Sequence, residues 1–397
     1  MKPPMRVWFA SEADRAALLA RTSEFHDQVR RAVSGLEHRE ALDQADIARL
    51  EVRLTDAACR VAPGLRVEVQ KARPSGHELV VLPDSGEGLE CVAAEMVRFA
   101  PVLPGVTFQR HGRALPLELA LDDVRARTGF DLSFARARVG FSRGHLLEVV
   151  LHSHRFASTA DEGALGAADL LVSRLIGDLH YHEWIGAVDV APAPRGGPLR
   201  VVTESADVAS TLTLAELAPA VQRAIEQVDE ALPAERYHER KQREGWTMLD
   251  CFPEMQTDYS LADDLAMAST LVPEALKCFL QGSRFSSRRF SRHGERLVYV
   301  KIDAASSTPE QRHALGVAVE DAIDAALVPL RAGCAVGAGI GLRYVYVFVM
   351  LEGLEHCRAL SDALRPLKVD PRSWILFCDI GWEHEWIGLC ESTPTPP

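Results

Sequence analysis

No C-x-x-C pair occurs in this chain, although it holds eight cysteines (Cys59, Cys91, Cys251, Cys278, Cys334, Cys357, Cys378 and Cys390). Several lie inside apolar runs and read as reduced, buried small hydrophobes, so neither a zinc ribbon nor a disulfide framework is expected. Catalytic signatures are scarce as well. No H-E-x-x-H pair occurs, no G-K-[ST] closes a phosphate loop, and no cysteine stands in a recognisable nucleophilic context. Gly333, Gly337, Gly339 and Gly341 precede a strand rather than a helix N-terminus, so they lack anion-binding logic and read as close backbone packing or a hairpin bulge. No cofactor is expected from these patterns. No apolar run reaches the length of a membrane span. The N-terminus lacks the apolar core of a signal peptide, which places the chain in the cytoplasm by expectation.

Basic charge is short too. Forty-four Lys+Arg face 56 Asp+Glu, a net charge of -12. Such a balance repels phosphate backbones and makes nucleic acid an unfavoured partner. It suits a soluble partner of positive charge, because complementary fields speed encounter. One local basic run, Arg284, Arg288, Arg289, Arg292 and Arg296, reads as a solvated hinge segment.

What is present is ordinary globular composition, with 47% hydrophobic and 25% charged residues. The chain of 397 residues is long enough for two or three domains. Ser11 to about Arg60 carries helical periodicity (Leu18, Phe25, Val29, Leu50, Leu54) and reads as two helices in a segment 1–63. From Gly64 the pattern turns to short strands and helices, giving a first α+β domain over 64–195. Leu65–Val69 and His77–Leu82 flank the break at Pro74-Ser75-Gly76, and from Val106 onward the order reads βαββαβ. Pro192 to Pro198 is the clearest linker, opening a helical connector over 196–293 that includes a helical piece from Leu261 to Leu280.

Residues 294–397 read as a second domain. Thr308-Pro309-Glu310-Gln311 forms a capping box with proline at the first helical position, ahead of the stripe Leu315, Val319, Ile323 and Leu327. Tyr344 to Met350 is apolar on both faces and belongs in the middle of a sheet. The order is again βαββαβ. The fold class expected is therefore α+β, with two ferredoxin-like units, a helical N-terminal segment and a helical connector. His182-Glu-Trp-Ile-Gly186 recurs as His384-Glu-Trp-Ile-Gly388, an echo that favours duplication.

Two candidate sites follow. His152 and His154 share a strand face with Glu148, and His180 and His182 lie shortly before the next strand. These four histidines are the candidate metal ligands of a hydrolase, with Glu183 as base; a half-exposed sheet face, where histidine is a common amphipathic filler, is the plainer account, and no established zinc spacing is matched. Tyr299, Tyr344, Tyr346 and Trp386 are the candidate binding surface. Aromatics on an open sheet also stack bases in RNA-recognition modules, but the basic-Gly-aromatic signature of those modules is missing.

Gly337-Ala-Gly-Ile-Gly-Leu-Arg343 leading into Tyr344-Val-Tyr346, with Trp382 and Trp386 closing the chain, gives residues 294–390 a family likeness. They resemble a small bacterial domain family of unknown function and, more distantly, the ribonuclease-E inhibitor B fold. Leu79 to Pro192, with Leu103-Pro-Gly105-Val-Thr-Phe108, is similar to uncharacterised bacterial proteins. The resemblance implies a ferredoxin-like fold and regulation through protein contact, and it brings no catalytic residues. The expected function is a non-enzymatic module with an acidic surface for a basic protein, of the immunity or inhibitor kind. A metal-dependent hydrolase and a subunit of a homo-oligomer are the alternatives.

Overall fold

A computed structural model describes residues 12–34, 43–71, 76–83, 89–156, 162–192, 211–241, 245–253, 260–282, 284–383, 385–390 and 392–396. The linker residues after Pro192, the Pro74-Ser75 break, Ser11 and His384 lie outside them. Strands β1 to β7 are Leu65–Lys71, His77–Pro83, Val106–Gln109, Arg136–Phe141, Leu147–Ser153, Ile185–Pro192 and Leu212–Thr213. Strands β8 to β14 are Thr247–Asp250, Leu265–Thr270, Arg296–Asp303, Gly333–Gly341, Tyr344–Leu351, Ser373–Phe377 and Trp386–Gly388. The chain is mixed α+β, with its strands in three sheets.

The two compact units do not follow the chain in series. One comprises Met1–His111, Glu235–Pro273 and Gly294–Pro397, the other Gly112–Ala234 and Glu274–His293. The serial division into 1–63, 64–195, 196–293 and 294–397 is thus replaced by interleaved segments. The physical reason is visible in the pairing. β3 was expected to open the βαββαβ run of 64–195, but it pairs parallel to β2, with His77 opposite Val106. It therefore completes the sheet β1-β2-β3, and of the run 64–195 only Gly112 onward belongs to the second unit.

In the first unit, helices Glu12–Val33 and Gln44–Val61 bury Phe25, Val29, Leu54 and Ala58 in one core with Leu65, Leu79 and Val81 of β1 and β2. The same core takes in Val298, Val300 and Ile302 of β10 and Val347, Val349 and Leu351 of β12. Helix Pro309–Leu327 lays Val319, Ile323 and Leu327 on it, and its start is fixed as the sequence reads: Thr308 and Gln311 cap each other. Reciprocal caps satisfy N–H groups that the first helical turn leaves without partners.

The seven-stranded sheet of this unit has the order β14-β13-β10-β12-β11-β9-β8. β12 is its central strand, as an all-apolar run requires. Glycine in β11 has a steric cause. A Cβ on Gly337 would stand 3.0 Å from the Ser269 carbonyl, and one on Gly339 3.1 Å from that of Met267, both on the neighbouring β9. A bulge between Ala335 and Gly337 accompanies this close approach.

The piece Leu261–Leu280, expected as one helix, is instead a single turn Leu261–Asp264, strand β9 and helix Pro273–Leu280. Ala266, Met267 and Ala268 favour helix in isolation, but β11 offers a ladder and Pro273 sets a new helix start. Tertiary pairing overrides the weaker local preference.

The second unit is built on the sheet β6-β5-β4-β7. Leu147, Val149 and Leu151 face its core with Ala164, Ala168, Leu171, Leu217 and Val221. β7 pairs with β4 and runs straight into helix Leu214–Ala231, whose first turn is closed by a capping box of Thr213 and Glu216.

Candidate functional site

The four candidate ligands His152, His154, His180 and His182 lie in the second unit, and the structure does not gather them. His152 is on β5 with its side chain turned from the core, and His154 is exposed just past that strand. His180 and His182 are on a short helix, Asp178–Trp184, that runs directly into β6. The separation has a topological cause. β5 and β6 run parallel, with Leu147 opposite Ile185 and His152 opposite Ala191. Residues just before β6 therefore sit at the start of β5, and His152 at its far end, roughly 17 Å along for five residues at 3.3 Å each. His152 and His180 are also held below the ordinary histidine pKa by burial, helped by Arg138 and Arg288 respectively. His182 Nδ1 lies 3.1 Å from Arg284 Nη2.

Tyr299, Tyr344, Tyr346 and Trp386 form no surface, because all four are buried. The first three lie on the face of β10 and β12 opposite Val298, Val300 and Val347. This is a satisfied polar cluster. Asp264 is fully buried and accepts from the Arg343 and Tyr344 N–H groups at 2.8 and 3.1 Å and from the Tyr346 hydroxyl at 2.9 Å. Lys301 Nζ sits 4.2 Å from the Tyr344 ring centre and 5.8 Å from that of Trp374, a cation–π arrangement. Burial pulls the Lys301 pKa down to about 8. A lysine so tuned has the chemistry of a nucleophile, but with 3% of its surface exposed it has no route to a substrate.

The arginine run is no solvated hinge. Arg288 forks onto Asp229 at 2.7 and 2.6 Å, Arg289 is fully buried, and Arg296 reaches Asp379 at 3.5 Å. Arg288 and Arg296 are thus drawn into ion pairs and Arg289 into the interior, while Arg292 is exposed. The two H-E-W-I-G segments also part company. Trp184 ends a helix and Ile185 opens β6, whereas Trp386 to Gly388 is itself a strand. What they share is burial of the tryptophan. Gly140-Phe-Ser142-Arg-Gly144 spells the letters of a hydrolase nucleophile elbow. It joins β4 to β5, however, a strand-to-strand connection rather than the strand-to-helix turn that exposes such a serine.

Two features of the first unit were not legible in the sequence. The first is the outer strand β8. It pairs with β9 alone among the described residues, with Met248 opposite Ser269 and Asp250 opposite Met267. Met248 is 59% exposed, and Trp246 and Phe252, just beyond the two ends, are exposed as well, Phe252 to 91%. Met267 adds to the same apolar strip. The strand itself carries one charge, Asp250, while Lys241 Nζ lies 5.7 Å from the ring centre of Trp246 at its near end.

The second is a polar cavity of about 310 Å³ lined by Arg236, His238, Glu239, Arg331 and Glu352. His238 comes from the helical turn Tyr237–Arg240, and Glu352 follows the last residue of β12. Glu295, just ahead of β10, has an oxygen within the same reach. One ligand atom from each of His238, Glu295 and Glu352 lies within 4.8 Å of the others, and this is the only such group of three among the described residues. An imidazole and two carboxylates from three segments therefore converge here and not at the four histidines.

Compared with protein-family models, with curated proteins and with solved structures, the chain matches none.

Proposed function

We propose that the chain is a non-catalytic protein-binding module of the immunity or inhibitor/regulator kind, and that β8 is where a basic partner docks. The observation that carries this is the open, apolar edge of the seven-stranded sheet. An outer strand turns every second N–H and C=O away from its one neighbour, and a partner segment can take them up as an added strand. Natural sheets usually blunt such edges with lysine, proline or very short strands. β8 is short, at four residues, but it has no lysine or proline and carries Met248 between exposed Trp246 and Phe252.

The occupant is an extended segment with alternate apolar and basic side chains. Its apolar residues would cover Met248 and Met267, and its Lys or Arg would meet Asp250. The chain's net charge of -12 favours the same encounter at longer range. The β13-β10-β12-β11 core of the sheet supports reading 294–397 as a ferredoxin-like unit, since its strands follow the βαββαβ connection with the fourth beside the first. A cytoplasmic setting fits the free cysteines, and no helix among the described residues is long and apolar enough to cross a membrane.

A synthetic peptide of about eight residues alternating Val and Lys, set against its Val-Glu twin, tests this reading. Hydrogen exchange of the whole protein is expected to show protection of 247–252 by the Val-Lys peptide alone. Equal protection by both peptides, or by neither, overturns the reading. Protection that grows with protein concentration in the absence of peptide would assign the edge to a second copy of this chain instead.

A further inference from the structure

We propose that His238, Glu295 and Glu352 hold a divalent first-row transition-metal ion. Three buried polar atoms in this cluster make no hydrogen bond. The His238 side chain is 5% exposed, and neither of its ring nitrogens has a hydrogen-bond partner. Glu352 Oε1 is also buried without one, 3.4 Å from His238 Nδ1. Buried polar atoms are nearly always satisfied, and clustered exceptions point to a missing water or ion. Here the atoms face one another, and one oxygen of Glu295 completes a set within 4.8 Å.

The surroundings orient these groups as outer partners orient metal ligands. The Tyr237 N–H donates to Glu295 Oε1 at 3.0 Å, and Glu295 is 1% exposed. Arg236 pairs with Glu352 Oε2, which leaves Oε1 as the oxygen turned to His238. One imidazole and two carboxylates form a donor set for zinc, manganese or iron. Magnesium prefers oxygen and water. Three protein ligands leave a position open, and the cavity gives a route to it.

The site lies within one unit and ties three segments together. His238 stands nine residues ahead of Thr247, the first residue of β8, and Glu352 and Glu295 border β12 and β10. A bound ion would thus pin the chain leading to the open edge against the centre of the sheet. This is a structural role, independent of whether β8 docks a partner.

Cobalt(II) titrated into the purified full-length protein is the probe, read by its visible d–d bands and by isothermal calorimetry. One ion per chain is expected, displaced by zinc and unaffected by a large excess of magnesium. His238→Ala and Glu352→Gln should each weaken binding by at least about 100-fold, since loss of a mere outer partner already costs 10- to 100-fold. The double variant His152→Ala/His180→Ala should bind as the parent does. Should His238→Ala fail to fold, Glu352→Gln and the magnesium competition decide the matter on folded protein. No stoichiometric cobalt, displacement by magnesium, or binding that survives Glu352→Gln overturns the proposal.

Discussion

The two ends of the seven-stranded sheet are built on opposite terms. At one end β14 is only three residues long, and Trp386 and Ile387 are buried. The chain beyond folds back over it. Thr393 occupies the space where Gly388 would carry a Cβ, its Oγ1 accepts from the Cys390 N–H at 2.9 Å, and the Pro394 carbonyl takes the indole N–H of Trp374 at 2.6 Å. At the other end β8 shows Met248 to solvent and has no covering segment among the described residues. One sheet thus has a sealed edge and an open one. Residues 390–394 seal one edge, and among the described residues nothing covers the ladder and the apolar strip at the other.

The largest effect that would sharpen this contrast is Trp374→Ala at the sealed end. Trp374 is fully buried beneath the closing segment. Removing so large a core side chain typically costs 3–5 kcal/mol, and the Pro394 carbonyl loses its donor as well. A loss of about 4 kcal/mol in a urea unfolding experiment is expected. A loss below about 1 kcal/mol would mean that the tail does not seal this edge.

The sealed end also buries a charge, and this gives a pH signature. Lys301, opposite Trp374 on β10, has its pKa pulled from 10.5 to about 8 by burial. Between about pH 8 and 10.5 the unfolded chain therefore holds more protons on this group than the folded one, and its contribution to stability rises with pH. Below pH 8 both states are protonated and the burial cost is constant. Cys334 and Cys357, pushed up to about 12 by burial, act in the opposite sense above pH 9, because unfolding lets their thiols ionise. Burial raises the Tyr346 hydroxyl too, and it opposes Lys301 in the same way above pH 10. The comparison must therefore be differential. Relative to Lys301→Met, the parent should gain at most roughly 1.4 kcal/mol per pH unit from pH 8 to 10, the value for one proton. Parallel stability curves for the two proteins would show that Lys301 is hydrated when folded.

The centre of the sheet was far more legible in the sequence than its open edge. Thr308 to Gln311 announced a helix start, and Tyr344 to Met350 announced a central strand, because both signals are local and strong. β8 and β9 carry no such signal. Thr247–Asp250 is four residues long, and Leu265–Thr270 is rich in helix formers, so only the glycine strand β11 decides their state. The aromatics Tyr299, Tyr344 and Tyr346 alternate as sheet residues should, but alternation does not reveal whether a face is covered. His238, Glu295 and Glu352 are 57 residues apart at each step and match no ligand spacing. Their convergence is a product of topology. The same is true in reverse for His152 and His182, which a parallel crossover sends to opposite ends of a strand.

The smallest effect on stability is the one that tests the open edge most directly. Met248→Lys places a cation on an exposed strand position that buries little, so unfolding free energy should change by no more than about 0.5 kcal/mol. Lysine is also the residue natural sheets use to protect an edge, and here it would repel a basic visitor. Protection of 247–252 by the Val-Lys peptide should disappear, and the Val-Glu peptide, which the new lysine attracts, becomes the informative control. If Met248→Lys instead destabilised the protein on the scale expected for Trp374→Ala, β8 would be part of a closed core. The contrast between the two ends would then be lost, and with it the reason for assigning a partner to this edge.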